Sequence, residues 1–318
     1  MFRLLKFFVA SILLIFVALV GLLVAYTVPD RPVDELKPRW TNAASQFVDI
    51  EEMQLHLRDE GLRNDSIPLV LLHGTSASLH TWDGWVDELK AQHRIIRYDM
   101  PGFGLTGPAP DSDYSIERYA RTVIAVMDEL GIEEFLLGGN SLGGYVAWAT
   151  AVLYPERVKQ LVLVDPSGLP FESQSVPLGF KIAQTPILKE LMEGVLPRFV
   201  IQQSVENVFG DPSRVTTELV DRYFELTSRA GNRLALAERF KQTQPGAMAT
   251  RLQEIEVPTL ILWGQQDRLI PPMLANRFEH NIEQSQVVLF DKLGHVPHEE
   301  DPVSTVAILK EFLSQLPP

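Results

Sequence analysis

The chain has 318 residues, of which 46% are hydrophobic, and a formal charge of −13. Its length suits one large domain with an extension, and its acidity would repel a phosphate backbone, which excludes a nucleic-acid partner. The absence of cysteine removes disulfides, thiolate catalysis and Cys-ligated zinc.

In chain order, Arg3 and Lys6 precede a nearly unbroken apolar run from Phe7 to Tyr26. About 20 such residues suffice to span a bilayer, and the run is longer than the h-region of a cleaved signal. Residues 1–27 are therefore expected to be an uncleaved single-pass membrane anchor, with a cleaved signal as the alternative. Arg3 and Lys6 would keep the N-terminus cytoplasmic and the remainder on the periplasmic or extracellular side. Residues 28–44 contain Pro29, Pro32 and Pro38 and read as a short stiff stalk.

From residue 45 the pattern changes. Gln46 to Ile50 and Met53 to Arg58 alternate apolar and polar residues, as a half-buried antiparallel hairpin would. Pro68 to Leu72 is a continuous apolar run, which predicts a strand buried on both faces. Trp82 to Lys90 predicts a helix, Arg94 to Tyr98 a strand, and Ile116 to Leu130 an amphipathic helix. Phe135 to Leu137 predicts a strand that turns through Gly139-Asn140-Ser141-Leu142-Gly143 into a helix, Tyr145 to Tyr154. A further strand follows, Leu161 to Val164. Residues 169–252 then show amphipathic pieces around Leu178–Leu196, Thr217–Arg229 and Arg233–Thr243 and no strand. Strands return at Thr259–Trp263 and Val287–Phe290, before a last helix, Pro302–Leu316. Alternation of this kind predicts an α/β fold with a mostly parallel central sheet and helices on both faces. The core would be residues 45–168 and 253–318, with 169–252 inserted after the sixth strand as a helical cap.

A G-x-S-x-G sequence between a strand and a helix places a serine on a strained turn, its Oγ above the sheet. Ser141 is thus the candidate nucleophile, and it needs a base held by a third group. In an open α/β sheet the site lies beyond the carboxyl ends of the strands. His295 follows the last strand and is the candidate base. Asp267 follows the strand before it and is the candidate acid, with Asp165, which also ends a strand, as its competitor. Backbone donors for the oxyanion are expected from Leu142, at the start of the helix, and from Thr75, in the loop after Leu69–Leu72. His73 is expected to brace that loop. His295-x-x-His298 with Glu299 has the wrong order for a zinc motif, and His298 reads as solvated or as a neighbour of the site. No metal and no cofactor are expected.

Several segments together resemble the α/β-hydrolase superfamily: His73-Gly74, Asp99-Met100-Pro101-Gly102-Phe103-Gly104-Leu105-Thr106, the Ser141 turn, Gly264-Gln265-Gln266-Asp267 with Ile270-Pro271, and Gly294-His295. The order Ser141, Asp267, His295 is that of the family. Ser141 stands where haloalkane dehalogenases and epoxide hydrolases place aspartate. The Gly139-Asn140-Ser141 elbow is similar to that of meta-cleavage-product hydrolases, which split carbon–carbon bonds, and Arg222 is the candidate counterpart of their cap-side arginine. Those enzymes usually carry an aromatic residue after the histidine, where this chain has Val296. Val164-Asp165-Pro166-Ser167-Gly168-Leu169-Pro170 resembles a segment of membrane-anchored bacterial esterases and lipases. The resemblance therefore implies a serine hydrolase that cleaves small-molecule carboxylic esters. Ile187, Leu188, Leu191, Val195, Leu196, Phe199 and Val200 in the cap would meet an apolar acyl or aromatic group. The alternatives are a carbon–carbon hydrolase using the same serine and a binding protein on the same fold.

Overall fold

The computed structural model describes residues 24–65, 67–185 and 194–314, together with residues 7, 11–15, 17 and 21. Helix α1 (Val33–Trp40) leads into a hairpin of β1 (Ser45–Ile50) and β2 (Met53–Gly61). Strand and helix then alternate through β3 (Leu69–Leu72), α2 (Asp83–Leu89), β4 (Arg94–Tyr98), α3 (Ile116–Glu129), β5 (Phe135–Asn140), α4 (Leu142–Leu153) and β6 (Val158–Val164). Among the described residues, only helices follow before the next strand: α5 (Leu178–Gln184), α6 (Arg198–Val208), α7 (Thr217–Thr227) and α8 (Asn232–Gln242). The alternation resumes with β7 (Thr259–Gly264), α9 (Leu274–Asn281), β8 (Ser285–Phe290), α10 (Pro297–Glu300) and α11 (Pro302–Ser314).

The strands form one sheet in the order β1-β2-β4-β3-β5-β6-β7-β8. β2 pairs antiparallel with β1 and β4, and the other pairings are parallel. Successive side chains of a strand point to opposite faces, and both faces here are covered. Val70 and Leu72 of β3 pack with α3 and α4, whereas Leu69 and Leu71 pack with α2 and α11. β7 divides in the same way, Ile261 and Trp263 on one side and Leu260 and Leu262 on the other. Double-sided burial is why these strands read as unbroken apolar runs.

The segment expected to be a stiff stalk is instead docked onto the helices between β6 and β7. Val28 N donates to Gly194 O (2.8 Å), Arg31 N donates to Ser228 O (2.8 Å), and Ala230 N donates back to Arg31 O (2.9 Å). The Asp30 carboxylate accepts from Gly231 N and pairs with Arg233. In α1, Leu36 is fully buried with Leu105 and Leu226, and Arg39 pairs with Glu225 of α7. One apolar stripe of α1 has a surface to bury against, so its prolines do not hold the segment away. Most of the expected membrane span, Phe7 to Tyr26, lies outside the described residues. Among the described residues no helix is long and apolar enough to cross a membrane. Ile187, Leu188 and Leu191 also lie outside them. The amphipathic pieces read from the sequence omit α6, which buries Val200, Ile201 and Val205 on a stripe that also carries Ser204.

Candidate active site

β5 ends at Asn140 and α4 begins at Leu142, so Ser141 alone turns the chain. Its φ is 56° and its ψ −114°, a conformation costing a non-glycine residue of order 1–3 kcal/mol. The surroundings over-determine it. A Cβ on Gly139 would lie 2.2 Å from Gly143 O, and one on Gly143 would lie 2.2 Å from Leu72 O. Only glycine at both positions lets strand and helix approach this closely. Ser141 N donates to Val164 O (3.0 Å), which ties the turn to β6.

The loops after β7 and β8 bring Asp267 and His295 together, with His295 Nδ1 2.7 Å from Asp267 Oδ2. Asp267 Oδ1 accepts from Leu269 N (2.8 Å) and Ile270 N (2.9 Å). Both carboxylate oxygens therefore act as acceptors, Nδ1–H is the donor, and Nε2 keeps its lone pair. His295 and Ser141 line the same cavity. Asn140 Nδ2 donates to His295 O (2.9 Å). The Glu300 carboxyl accepts from Gly294 N (2.6 Å) and Gly210 N (2.9 Å), clamping the histidine loop to the end of α6. Burial pushes the Glu300 carboxyl up to about 7.

Asp165, the competing acid, ends β6 beside this pair, and its hydrogen bond is from Gly264 N to Oδ1 (3.0 Å). His295 bonds Asp267. Leu142 is the first residue of α4, where an N–H has no intrahelical acceptor. Thr75 lies against the same cavity as Ser141. Neither N–H has an acceptor among the described residues. His73 holds the Thr75 loop: Nδ1 is 2.7 Å from Gly74 O and Nε2 accepts from Met100 N (3.0 Å). Burial lowers its pKa, so it is a neutral brace. His298 is buried against Trp82 with Nε2 3.0 Å from Thr81 Oγ1, a core position and not a solvated one.

Asp165, Asp267 and His295 have ligand-type atoms within 4.8 Å of one another. Their donor set does not suit a metal. Both Asp267 oxygens, His295 Nδ1 and Asp165 Oδ1 already take part in hydrogen bonds, which leaves one free carboxyl oxygen.

Ser141 stands between two cavities. One, of about 100 Å³, is walled by apolar residues including Val195, Leu196, Val200 and Ile201. The other, of about 500 Å³, is lined by Tyr114, Glu117, Tyr119, Arg239 and Gln242 among others. Thr75, Phe180 and Leu269 border both.

Residues 67–302 match the family model described as the alpha/beta hydrolase fold. The chain belongs to the α/β-hydrolase family. This hydrolase is 30% identical over 272 residues to 2-hydroxy-6-oxo-2,4-heptadienoate hydrolase of Pseudomonas putida, covering 82% of this chain and 93% of that one. It is 31% identical over 289 residues to a 2-hydroxy-6-oxononadienedioate/2-hydroxy-6-oxononatrienedioate hydrolase of Burkholderia vietnamiensis, covering 86% and 96%. Among solved structures, a meta-cleavage product hydrolase from Pseudomonas fluorescens superimposes with a TM-score of 0.73. It is 24% identical and covers 85% of this chain and 97% of that one, a likeness of fold.

These relatives overturn the expectation of a carboxylic-ester hydrolase. Their names describe hydrolases of 2-hydroxy-6-oxo-dienoates, which favours the carbon–carbon alternative. The Gly139-Asn140-Ser141 elbow agrees with these relatives, whereas Val296 and the segment after β6 point away from them. Arg222 lines neither of the two cavities at Ser141. Its guanidinium pairs with Glu299, which further accepts from Tyr223 Oη and Thr81 Oγ1. The cation lining the larger cavity is Arg239, which has no carboxylate partner among the described residues. No sequence motif marks it.

Proposed function

We propose that this hydrolase cleaves the carbon–carbon bond beside the ketone of a 2-hydroxy-6-oxo-dienoate or a close analogue, using Ser141, His295 and Asp267. The observation that carries the reading is the pair of unlike cavities meeting at Ser141. A substrate of the heptadienoate type has a carboxylate at one end and an apolar substituent beyond its ketone. Arg239 would hold the carboxylate in the larger cavity, and the smaller apolar cavity would take the substituent. The reacting ketone then lies over the Ser141 Oγ.

In its 2-keto tautomer the substrate has a saturated C5 between an alkene and the C6 ketone. Ser141 Oγ adds to C6 and its proton passes to His295 Nε2, while Asp267 orients the imidazole and stabilises its cation. The Thr75 and Leu142 amides would hold the resulting oxyanion. The C5–C6 bond then breaks with its electron pair entering the dienolate, which takes the proton from His295. Water, deprotonated by His295, releases the acyl group from Ser141 as a carboxylic acid. The test is loss of the visible absorbance of a ring-fission product on mixing with the protein. The wild-type chain should bleach it and Ser141→Ala should not. Equal bleaching by both, or none by the wild type, would defeat the proposal.

We also propose, from hydropathy alone, that Phe7 to Tyr26 anchors the chain in a membrane with the hydrolase domain on the periplasmic or extracellular side. Extraction by carbonate without detergent would refute the anchor.

A further inference from the structure

We propose that Asp165 is a protonated carboxylic acid whose Oδ2–H donates to the Asp267 carboxylate, making it a positioning residue that sets the charge facing His295. The inference rests on the Ser141–His295–Asp267 reading of the site. Asp165 is fully buried at the carboxyl end of β6, and its Oδ2 has no hydrogen-bond partner among the described residues. A buried carboxyl oxygen left that way costs about 1–3 kcal/mol, and more if it is charged.

The backbone is committed to this arrangement. Asp165 has φ of 43°, in the left-handed region that side-chain-bearing residues avoid. Asp165 N donates to Leu262 O (3.0 Å) and its Oδ1 accepts from Gly264 N (3.0 Å). Strand pairing of β6 with β7 thus holds the side chain over the end of β7, next to Asp267. A carboxyl oxygen of each residue and a ring nitrogen of His295 fall within 4.8 Å of one another.

Protonation resolves both problems. Among the described residues the titratable groups facing Asp165 are Asp267, His295 and Glu300, and none of them is a permanent cation that could hold two carboxylates side by side. Asp267 is already an acceptor at both oxygens, from two amides and the imidazole, and so is the ionised member. Burial, and then the Asp267 charge, push the Asp165 carboxyl well above the ordinary carboxylate range. As an acid, its Oδ2 gains a hydrogen to donate, and Asp267 is the acceptor within reach. That bond withdraws negative charge from Asp267 and limits how strongly it favours the imidazolium form of His295.

Asp165→Asn and Asp165→Ala in the full chain test this. Ser141 labelling by a fluorophosphonate is followed against pH, and the infrared C=O band of protonated carboxyls is recorded at about pH 8. A band lost in both Asp165 variants belongs to Asp165. Asparagine can accept from Gly264 N and donate to Asp267. Its labelling rate should stay within about threefold of wild type, with the same acid limb. In Asp165→Ala the acid limb should move to higher pH by about half a unit or more. The infrared band should be present in wild type and absent from both variants. A wild-type protein without the band overturns the proposal. So does an Asp165→Asn variant as slow as Asp267→Asn, since Asp165 would then act as an anion. Should Asp165→Ala fail to fold, the wild-type band and the Asp165→Asn profile still decide. None of these readings uses a ring-fission product, so a failed carbon–carbon reading leaves them intact, whereas a wild type unlabelled at Ser141 would remove the triad and this role with it.

Discussion

Changing Asp267 to Asn replaces one oxygen by an NH2 group, and the surrounding amides decide which one. The Leu269 and Ile270 N–H groups both point at Oδ1. Placing NH2 there would leave two buried donors unpaired, at about 1–3 kcal/mol each. The amide oxygen therefore takes the Oδ1 place and NH2 faces His295 Nδ1. NH2 cannot accept from Nδ1–H, so the imidazole moves its proton to Nε2 and has no lone pair left for Ser141. Loss of the right tautomer in a triad costs about 10⁴ in kcat, or about 5.4 kcal/mol at 1.36 kcal/mol per decade. Single-turnover bleaching of a ring-fission product and the rate of fluorophosphonate labelling should fall in parallel, with the thermal midpoint little changed. A loss below about tenfold would show that Asp267 does not orient His295.

Arg239→Gln should raise KM for a carboxylate-bearing substrate by about 10- to 100-fold, the worth of one charge-assisted hydrogen bond, with little change in kcat; an unmoved KM removes Arg239 from the substrate site. Leu36→Ala empties a buried position under α1 and should cost about 2–5 kcal/mol in denaturant unfolding, whereas a free stalk would give no change. Glu300 is raised to about 7, so the folded state prefers its protonated form. That contribution to stability is full below the ordinary glutamate range and is lost as pH rises through about 7. The fall in thermal midpoint over this window should be shallower in Glu300→Gln, and an identical slope would contradict the assignment.

The central strands were legible because both faces are buried, and the turn at Ser141 because Gly139 and Gly143 stand where any side chain would strike backbone. Position one strand before His295 favours Asp267 in the sequence, but it leaves Asp165 as a competitor. Both end strands, and the parallel register of β6 with β7 brings them side by side. The choice of His295 partner then depends on where the two loops run. Residues 28–40 misread as a stalk because prolines and charges dominate their composition, while a few contacts such as that of Leu36 dock them. Arg222 and Arg239 look alike in sequence, and only the fold assigns one to Glu299 and the other to the cavity wall. The bond cleaved was the least legible feature, since one triad serves esters and vinylogous ketones equally. The residues that distinguish the two line cavity walls at no fixed spacing.

The central claim is most directly tested by rapid quench of the wild-type chain with a ring-fission product, followed by mass spectrometry of its peptides. A transient acyl group should appear on the peptide carrying Ser141, formed together with one equivalent of the released 2-hydroxy-dienoate and absent from Ser141→Ala. Release of that dienoate without any adduct on Ser141, or at an equal rate from Ser141→Ala, would contradict the claim.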